Sequence, residues 1–295
     1  MLLFEADALR LIFALSAATV ASATPLILAA MGGILSERAG IVNIALEGFL
    51  VTGAFVGVFA GRASGWAGLA AAALVGGLFG LLHGFLTQKL KVDHVVSGLG
   101  INLLAAGATR FFALRWFGTE GVTVTGVPSS VFITFAVMLP FCLHFVLYRM
   151  RFGLRLRAVG ENPETARMAG IDPLPLRYVA TGLCGMLGGI AGAFLSLGES
   201  HTFSSNMSAG KGYIALAAVI FGKWKPAGAA LAALLFGFCY ALQSQLQISG
   251  AHLHWLGIEW SSPALLDMLP YVITLLALVT IVGRATPPAA LGKEG

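Results

Sequence analysis

A polytopic all-α membrane bundle is the fold this sequence predicts, and three observations predict it. Of its 295 residues 58% are hydrophobic and only 11% are charged, where a soluble domain carries about a quarter of its residues charged. The mean hydropathy is +0.88. The apolar residues fall in long uniform runs, most of them near the roughly 20 residues a helix needs to cross about 30 Å of hydrocarbon. Such runs lack the alternation of a membrane barrel, and helices satisfy their own backbone groups in lipid. One transmembrane domain over residues 1–295 follows, with about nine membrane helices, one of them short or broken.

The first run, 9–35, has two acids ahead of its first basic residue, Arg10, so it lacks the pattern of a secretory leader and reads as a retained span. The second, 41–61, opens on Asn43 and Glu47 and then repeats glycine at Gly53, Gly57 and Gly61. The third, 66–88, has Gly76, Gly80 and Gly84, and the sixth, 178–198, has Gly188 and Gly192. Glycines four apart make faces on which helices approach closely; mid-span, they are packing seams and not phosphate loops. The fourth run, 95–115, carries Ser97, Asn102 and Thr109; the fifth covers 129–148, the eighth 227–248 and the ninth 265–283. The seventh, 213–222, is the exception: as a helix it extends only about 15 to 20 Å. It reads as broken or re-entrant.

Eighteen Lys and Arg against thirteen Asp and Glu give a net charge of +5, which in such a chain concerns topology before any partner. With nine crossings, Arg38, Lys89, Lys91, Arg149, Arg151, Arg155, Arg157, Arg167, Arg177, Lys223, Lys225, Arg284 and Lys293 share one side, and Arg10, Arg62, Arg110, Arg115 and Lys211 the other. The richer side is expected in the cytoplasm, which places the N-terminus outside and the C-terminus inside. A re-entrant seventh run would erase most of that bias. No basic stripe with stacking aromatics points to nucleic acid. Cys142, Cys184 and Cys239 each sit in apolar sequence without metal-like spacing and read as small core residues. His83, His94, His144, His252 and His254 read as structural or interfacial.

One polar island, RAVGENPETARMAGI from Arg157 to Ile171, interrupts the apolar pattern. Asn162 is suited to cap a helix, Pro163 to its first position and Glu164 to the positive end of its dipole. Arg167 and Met168 follow one turn on. Gly170 is a natural stop, and Pro173 and Pro175 are expected to keep the helix from resuming. A short rigid helix on a loop spanning 149–177 results, fit to dock in a groove of another protein or to serve as a solvated connector.

Glu164-Thr165-Ala166, followed after three residues by Gly170, resembles the EAA...G signature of ATP-binding cassette importer permeases, and GENPETARMAGI is similar to its form in permeases for nucleosides and simple sugars. Thr165 stands where the signature has alanine. SERAGIVNIALEG (Ser36 to Gly48), GKGYIALA (Gly210 to Ala217) and Pro270-Tyr271 extend the resemblance over about residues 10–283. The resemblance implies that the island holds a cytoplasmic coupling helix, with Arg157, Gly160, Glu161, Asn162, Pro163, Glu164, Ala166, Arg167 and Gly170 meeting a separate ATP-binding subunit. It further implies a bacterial inner-membrane location, a second permease subunit, with a heterodimer expected, and an extracytoplasmic solute-binding protein. No cofactor is expected, because the chain has no G-x-x-x-x-G-K-[ST] loop and ATP would bind the partner. Nucleosides, purine nucleosides first, are the implied solute, with ribose-like sugars as the alternative.

Candidate pathway or gating residues are Asn43, Glu47, Ser97, Asn102 and Lys211. Membrane-depth polar groups face partners, water or a pathway. Asn43 and Glu47, four apart, are expected on one helical face, either as a polar knot to a neighbouring helix or in contact with solute. Asn102 could bond a solute or join two helices. Lys211, near Glu199, His201 and Ser204, is expected on an outer loop. Two other classes compete with the importer: an ion-driven transporter titrating Glu47, with the short seventh run as its broken helix, and an intramembrane enzyme, for which no nucleophile, base or metal set stands at a recognisable spacing.

Overall fold

In a computed structural model, residues 2–118, 123–249, 254–255, 258–259, 268, 272 and 286–293 are described, the side chains of 2–11, 117, 249, 254–255 and 258–259 excepted. The chain order is α1 (Leu2–Arg38), α2 (Leu46–Gly61), α3 (Gly65–Gln88), α4 (His94–Phe117), α5 (Ser129–Arg149), α6 (Arg151–Glu161), α7 (Pro163–Met168), α8 (Pro173–Ala193), α9 (Lys211–Phe221) and α10 (Pro226–Ser249). α8 continues as a π-helical turn through Phe194–Glu199. The two-residue antiparallel pairing of His254–Trp255 with Ile258–Glu259 is the only strand structure among the described residues.

Among the described residues six stretches are long and apolar enough to cross a membrane: Ile12–Arg38, Gly65–Gln88, His94–Trp116, Ser129–Arg149, Pro173–Glu199 and Pro226–Ile248. The second and seventh runs form shorter helices, α2 of 16 and α9 of 11 residues. The ninth run, with Pro270-Tyr271, lies outside the described residues apart from single positions.

The second run is not helical from residue 41. After α1 the chain turns at Gly40, whose φ of +93° suits glycine. Asn43 Oδ1 then accepts the Ala45 N–H at 3.0 Å, a local bond that competes with helix. Helix therefore starts only at Leu46. Elsewhere short polar residues start helices as their chemistry favours: Ser64 Oγ accepts the Ala67 N–H at 3.1 Å, and Asp93 Oδ1 accepts those of Val95 and Val96 at 2.8 and 3.0 Å.

Pro173 and Pro175 do not stop a helix, as their sequence suggested; they begin α8. Asp172 Oδ1 accepts the Leu174 N–H at 3.0 Å, and first-turn positions need no N–H of their own. The loop between the fifth and sixth runs is likewise mostly helix. α6 buries Gly153, Leu156, Val159 and Gly160.

α2 sits at the centre, with Phe49 and Leu50 fully buried, and packs against α3 and α8. The glycine repeats are the seams. A Cβ at Gly53 would lie 2.2 Å from the Gly189 carbonyl, one at Gly80 2.1 Å from that of Thr181, and one at Gly192 1.9 Å from that of Leu50. Cys184 and Cys239 are buried as expected, whereas Cys142 is exposed on the outer surface of α5.

Hydrogen bonds gather the helix ends into two groups. At one end, Arg38 Nε donates to the Trp224 carbonyl at 2.9 Å, Arg177 Nη1 to Gln88 Oε1 at 2.6 Å, and the N–H groups of Ala290 and Gly292 to the carbonyls of Gly160 and Gly40, both at 3.0 Å. At the other, Val124 N–H donates to His201 at 3.0 Å and Val127 N–H to Leu197 at 3.1 Å. The segment from His201 to Trp224 therefore joins the two ends. Its first half is turns, with positive φ at His201, Asn206, Ala209 and Gly210; its second half is α9.

Candidate functional site

Every feature that the island's chemistry calls for is built. Asn162 is extended, at φ −151°, and its Oδ1 accepts the Thr165 N–H at 3.0 Å, with Pro163 opening the six residues of α7. Gly170, at φ +77°, closes it: its N–H reaches the Arg167 carbonyl at 2.9 Å, while that of Ile171 reaches Ala166, also at 2.9 Å. Only Ala166 of α7 is buried. Glu164, Thr165 and Arg167 are exposed and Met168 is 82% exposed, so threonine at the middle position of the signature meets no packing constraint.

The remaining island residues hold this helix to the bundle. A Cβ at Gly160 would lie 2.0 Å from the Arg38 carbonyl, so α6 and the end of α1 meet backbone to backbone. Glu161 accepts the Ala289 N–H at 3.3 Å and lies 4.0 Å from Arg38. The Arg157 guanidinium stacks 4.6 Å over the Tyr148 ring. Residues 289–293 thus clamp α6, and between Ala290, Lys293 and Glu161, Asn162, Glu164, Arg167 lies an open cleft of about 370 Å³.

The interior polar residues are mostly committed to the fold. Asn43 and Glu47 do not share a helical face, because Asn43 precedes α2 in the turn it closes; its Nδ2 donates to Cys184 Sγ at 3.0 Å. Glu47 points instead to the start of α9. Its Oε1 accepts Ser208 Oγ at 2.5 Å and the Gly210 N–H at 3.0 Å, and its Oε2 accepts the Gly212 N–H at 2.7 Å. A carboxylate at the positive end of a helix is favoured, and here it fixes a half-length helix to α2. Asn102 Oδ1 accepts the Gly48 N–H at 2.7 Å, and its Nδ2 donates to the Ile44 carbonyl at 2.9 Å and to Tyr213 Oη at 3.0 Å.

Ser97 is bound to His83 Nδ1 at 2.9 Å, and His83 Nε2 lies 3.0 Å from the Val42 carbonyl. A carbonyl only accepts, so Nε2 carries the proton and Ser97 donates to Nδ1. His94 Nδ1 accepts the Val42 N–H at 3.1 Å. Sequence reasoning missed these histidine bridges and the bond from Trp224 Nε1 to the buried Glu37 carboxylate. These bonds join positions from 14 to 187 residues apart, none of them at a spacing that marks a shared helical face.

Glu47→Ala leaves the Ser208 hydroxyl and two N–H groups without their acceptor. Hydrogen bonds to charged groups contribute about 1.5 to 3 kcal/mol, so a loss of about 2 kcal/mol is expected, with a smaller loss for Glu47→Gln. Thermal unfolding of the detergent-purified permease measures it; an unchanged midpoint for Glu47→Ala contradicts the knot.

Of the five pathway candidates, Lys211 borders an open polar cavity of about 240 Å³. It shares the cavity with Glu199, as their proximity in sequence suggested, and with Tyr240, Gln243, Ser244 and Gln247 of α10. Its Nζ lies 5.6 Å from the Tyr240 ring centre. His201 and Ser204 do not border it.

The family model for the branched-chain amino acid transport system / permease component matches residues 15–278. The chain is 37% identical to the guanosine ABC transporter permease protein NupQ of Bacillus subtilis, over 97% of each chain. It is 38% identical to the nucleoside ABC transporter permease protein NupC of Lactococcus lactis, over 91% of this chain and 92% of that one. It is 32% identical to the putative glucose ABC transporter permease protein TsgC13 of Haloferax volcanii, over 88% of this chain and 89% of that one.

Proposed function

We propose, from the premise that this chain belongs to the family of branched-chain amino acid transport system permease components, that it carries nucleosides across the membrane. As a member of that family it is a multi-pass membrane permease of an ATP-binding cassette importer and not an enzyme. An ATPase and a solute-binding protein are the partners the family implies. The observation that carries the nucleoside reading is the 37% and 38% identity to two nucleoside permeases over more than nine tenths of the chain. The simple-sugar alternative has support from more distant relatives, a glucose-type permease at 32% and a ribose-type permease at 28% identity.

In this reading the chain crosses nine times, the ninth crossing falling on 265–283. The segment from His201 to Trp224 makes the seventh, its outer half as turns and its inner half as α9. The end that gathers Arg38, Arg177 and residues 286–293 faces the cytoplasm of a bacterial inner membrane, because the Lys and Arg excess lies there. The N-terminus is then outside and the C-terminus inside. A second permease subunit, forming a heterodimer, completes the pore, and ATP binds only the partner ATPase, so this chain needs no cofactor.

Coupling runs through α7. ATP-driven closure of the ATPase moves Glu164 and Arg167 on the exposed face of α7, and the Asn162 cap and Gly170 stop make that helix move as one piece. Two routes lead into the membrane: α6 presses on the end of α1 at Gly160, and α8 starts at Pro173, three residues after Gly170. α8 is seated on α2 and α3 through glycine, so the motion is a rigid-body shift of packed helices.

Uptake by proteoliposomes holding the full complex tests the solute class. Labelled guanosine is expected to accumulate and to be displaced by other purine nucleosides but not by excess ribose or glucose. Accumulation of a sugar that excess nucleoside fails to inhibit would sink the nucleoside reading.

A further inference from the structure

We infer that the apolar groove between α1, α5 and α10 seats one anionic phospholipid, with an acyl chain lying in the groove and the phosphate held by cations at the groove's end, Arg149 and Lys225 first. The inference is independent of which solute the permease carries.

The groove encloses about 640 Å³, within the roughly 300 to 1,000 Å³ of pockets that hold a ligand. It exists because Ala136 and Pro140 of α5 and Ala227 and Ala230 of α10 are small where their neighbours Phe141 and Leu231 are large. Phe141 and Leu231 are 71% and 67% exposed on membrane-spanning helices, so the groove opens sideways to lipid. It offers little to a polar guest. Thr24 has already given its hydroxyl to the Val20 carbonyl at 2.8 Å, and the other polar lining residue, His144, stands at one end. Along α5 the groove runs from Ala136 to His144, about 12 Å at 1.5 Å per residue. That is close to one leaflet of a hydrocarbon core about 30 Å thick, the depth an acyl chain occupies.

Cations stand just beyond that end. Arg149 closes α5 one and a half turns past His144, and Lys225 comes directly before α10, whose second residue, Ala227, lines the groove. Both belong to the end of the bundle that gathers Arg38, because Arg38 bonds the Trp224 carbonyl and α6, which follows α5, meets α1 at Gly160. Lys223, Arg151 and Arg155 lie at the same end. All five are exposed, and none makes an ion pair among the described residues. The sequence has no acid from Gly121 to Gly160 or from Ser200 to Ile258 to neutralise them. α6 also leaves Leu154 exposed beside Arg151 and Arg155, as a helix does that lies in the plane of the headgroups. Unpaired cations at one end of an apolar groove one leaflet deep match the two parts of an anionic phospholipid, and basic residues at a membrane surface select that headgroup charge.

The test is photolabelling of the full complex in detergent with phosphatidylglycerol that carries a diazirine in one acyl chain. Labels are expected on the groove segments of α1, α5 and α10, and unlabelled phosphatidylglycerol is expected to displace them where equal phosphatidylcholine or glycerol phosphate does not. Arg149→Gln combined with Lys225→Gln is expected to raise the half-saturating phosphatidylglycerol about 25-fold, at roughly fivefold for each cation near a membrane surface. Lys89→Gln combined with Lys91→Gln removes the same charge at the same end of the bundle and is expected to leave it unchanged. Equal displacement by phosphatidylcholine, or an equal loss in the two double variants, overturns the inference. Displacement by glycerol phosphate overturns it too, since it shows an anion site that needs no chain. Label elsewhere on the chain but none in the groove gives the groove to the second permease subunit and overturns it equally. All four substituted positions are exposed, and the competition on the wild-type complex decides the matter even if a variant fails to assemble.

Discussion

Gly185→Val is expected to prevent the bundle from assembling. A Cβ at Gly185 would lie 2.1 Å from the Gly76 carbonyl and 2.8 Å from the Gly80 backbone nitrogen, so the clash is with helix backbone that cannot turn aside. α8 would have to lift from α3 along the whole seam. Overpacking usually costs about 1 to 3 kcal/mol where side chains can adjust; with none to adjust, more than about 4 kcal/mol is expected. Gly80→Val should fail in the same way. Gly100→Ala and Gly107→Ala are the matched controls, since a Cβ at either meets nothing within 4 Å. They are expected to be neutral or to stabilise α4 by up to about 1 kcal/mol. The yield of monodisperse protein after detergent extraction distinguishes the two pairs, and normal yield for Gly185→Val contradicts the packing.

Reversing the charges of α7, Glu164→Lys with Arg167→Glu, is expected to disconnect a folded permease from its ATPase. Both side chains are exposed and make no hydrogen bond or ion pair within the described residues that the bundle needs. The thermal midpoint of the isolated permease should therefore stay at the wild-type value. Uptake by the full complex should fall by about 100-fold, the equivalent of about 2.8 kcal/mol of docking free energy. Wild-type uptake with both charges reversed would show that α7 is a connector and not a handle.

The parts of this molecule that local chemistry decides could be read from the sequence. Asn162, Pro163 and Gly170 specify α7 within nine residues, and the structure builds it with the cap and stop those residue types favour. The glycine seams were legible too, since a four-residue repeat is itself a helical face. Long-range contacts were not. Asn43 and Glu47 have helical spacing, yet Asn43 closes a turn on Ala45 and Glu47 binds residues more than 160 positions away. The same holds for Asn102, which three separate partners saturate. Polarity at membrane depth announced that each residue had a role; only the fold distinguishes a knot from a pathway.

The central claim is that a nucleoside path in this chain is opened by ATP bound elsewhere and transmitted through α7. Proteoliposomes holding the permease with its ATPase, second permease and binding protein test it directly, by labelled guanosine uptake under two energy sources. Uptake is expected with ATP at the ATPase and no ion gradient, and is expected to vanish without ATP even when a proton gradient is imposed. Uptake that persists without ATP and collapses with the proton gradient would contradict the account and make Glu47 the residue to titrate.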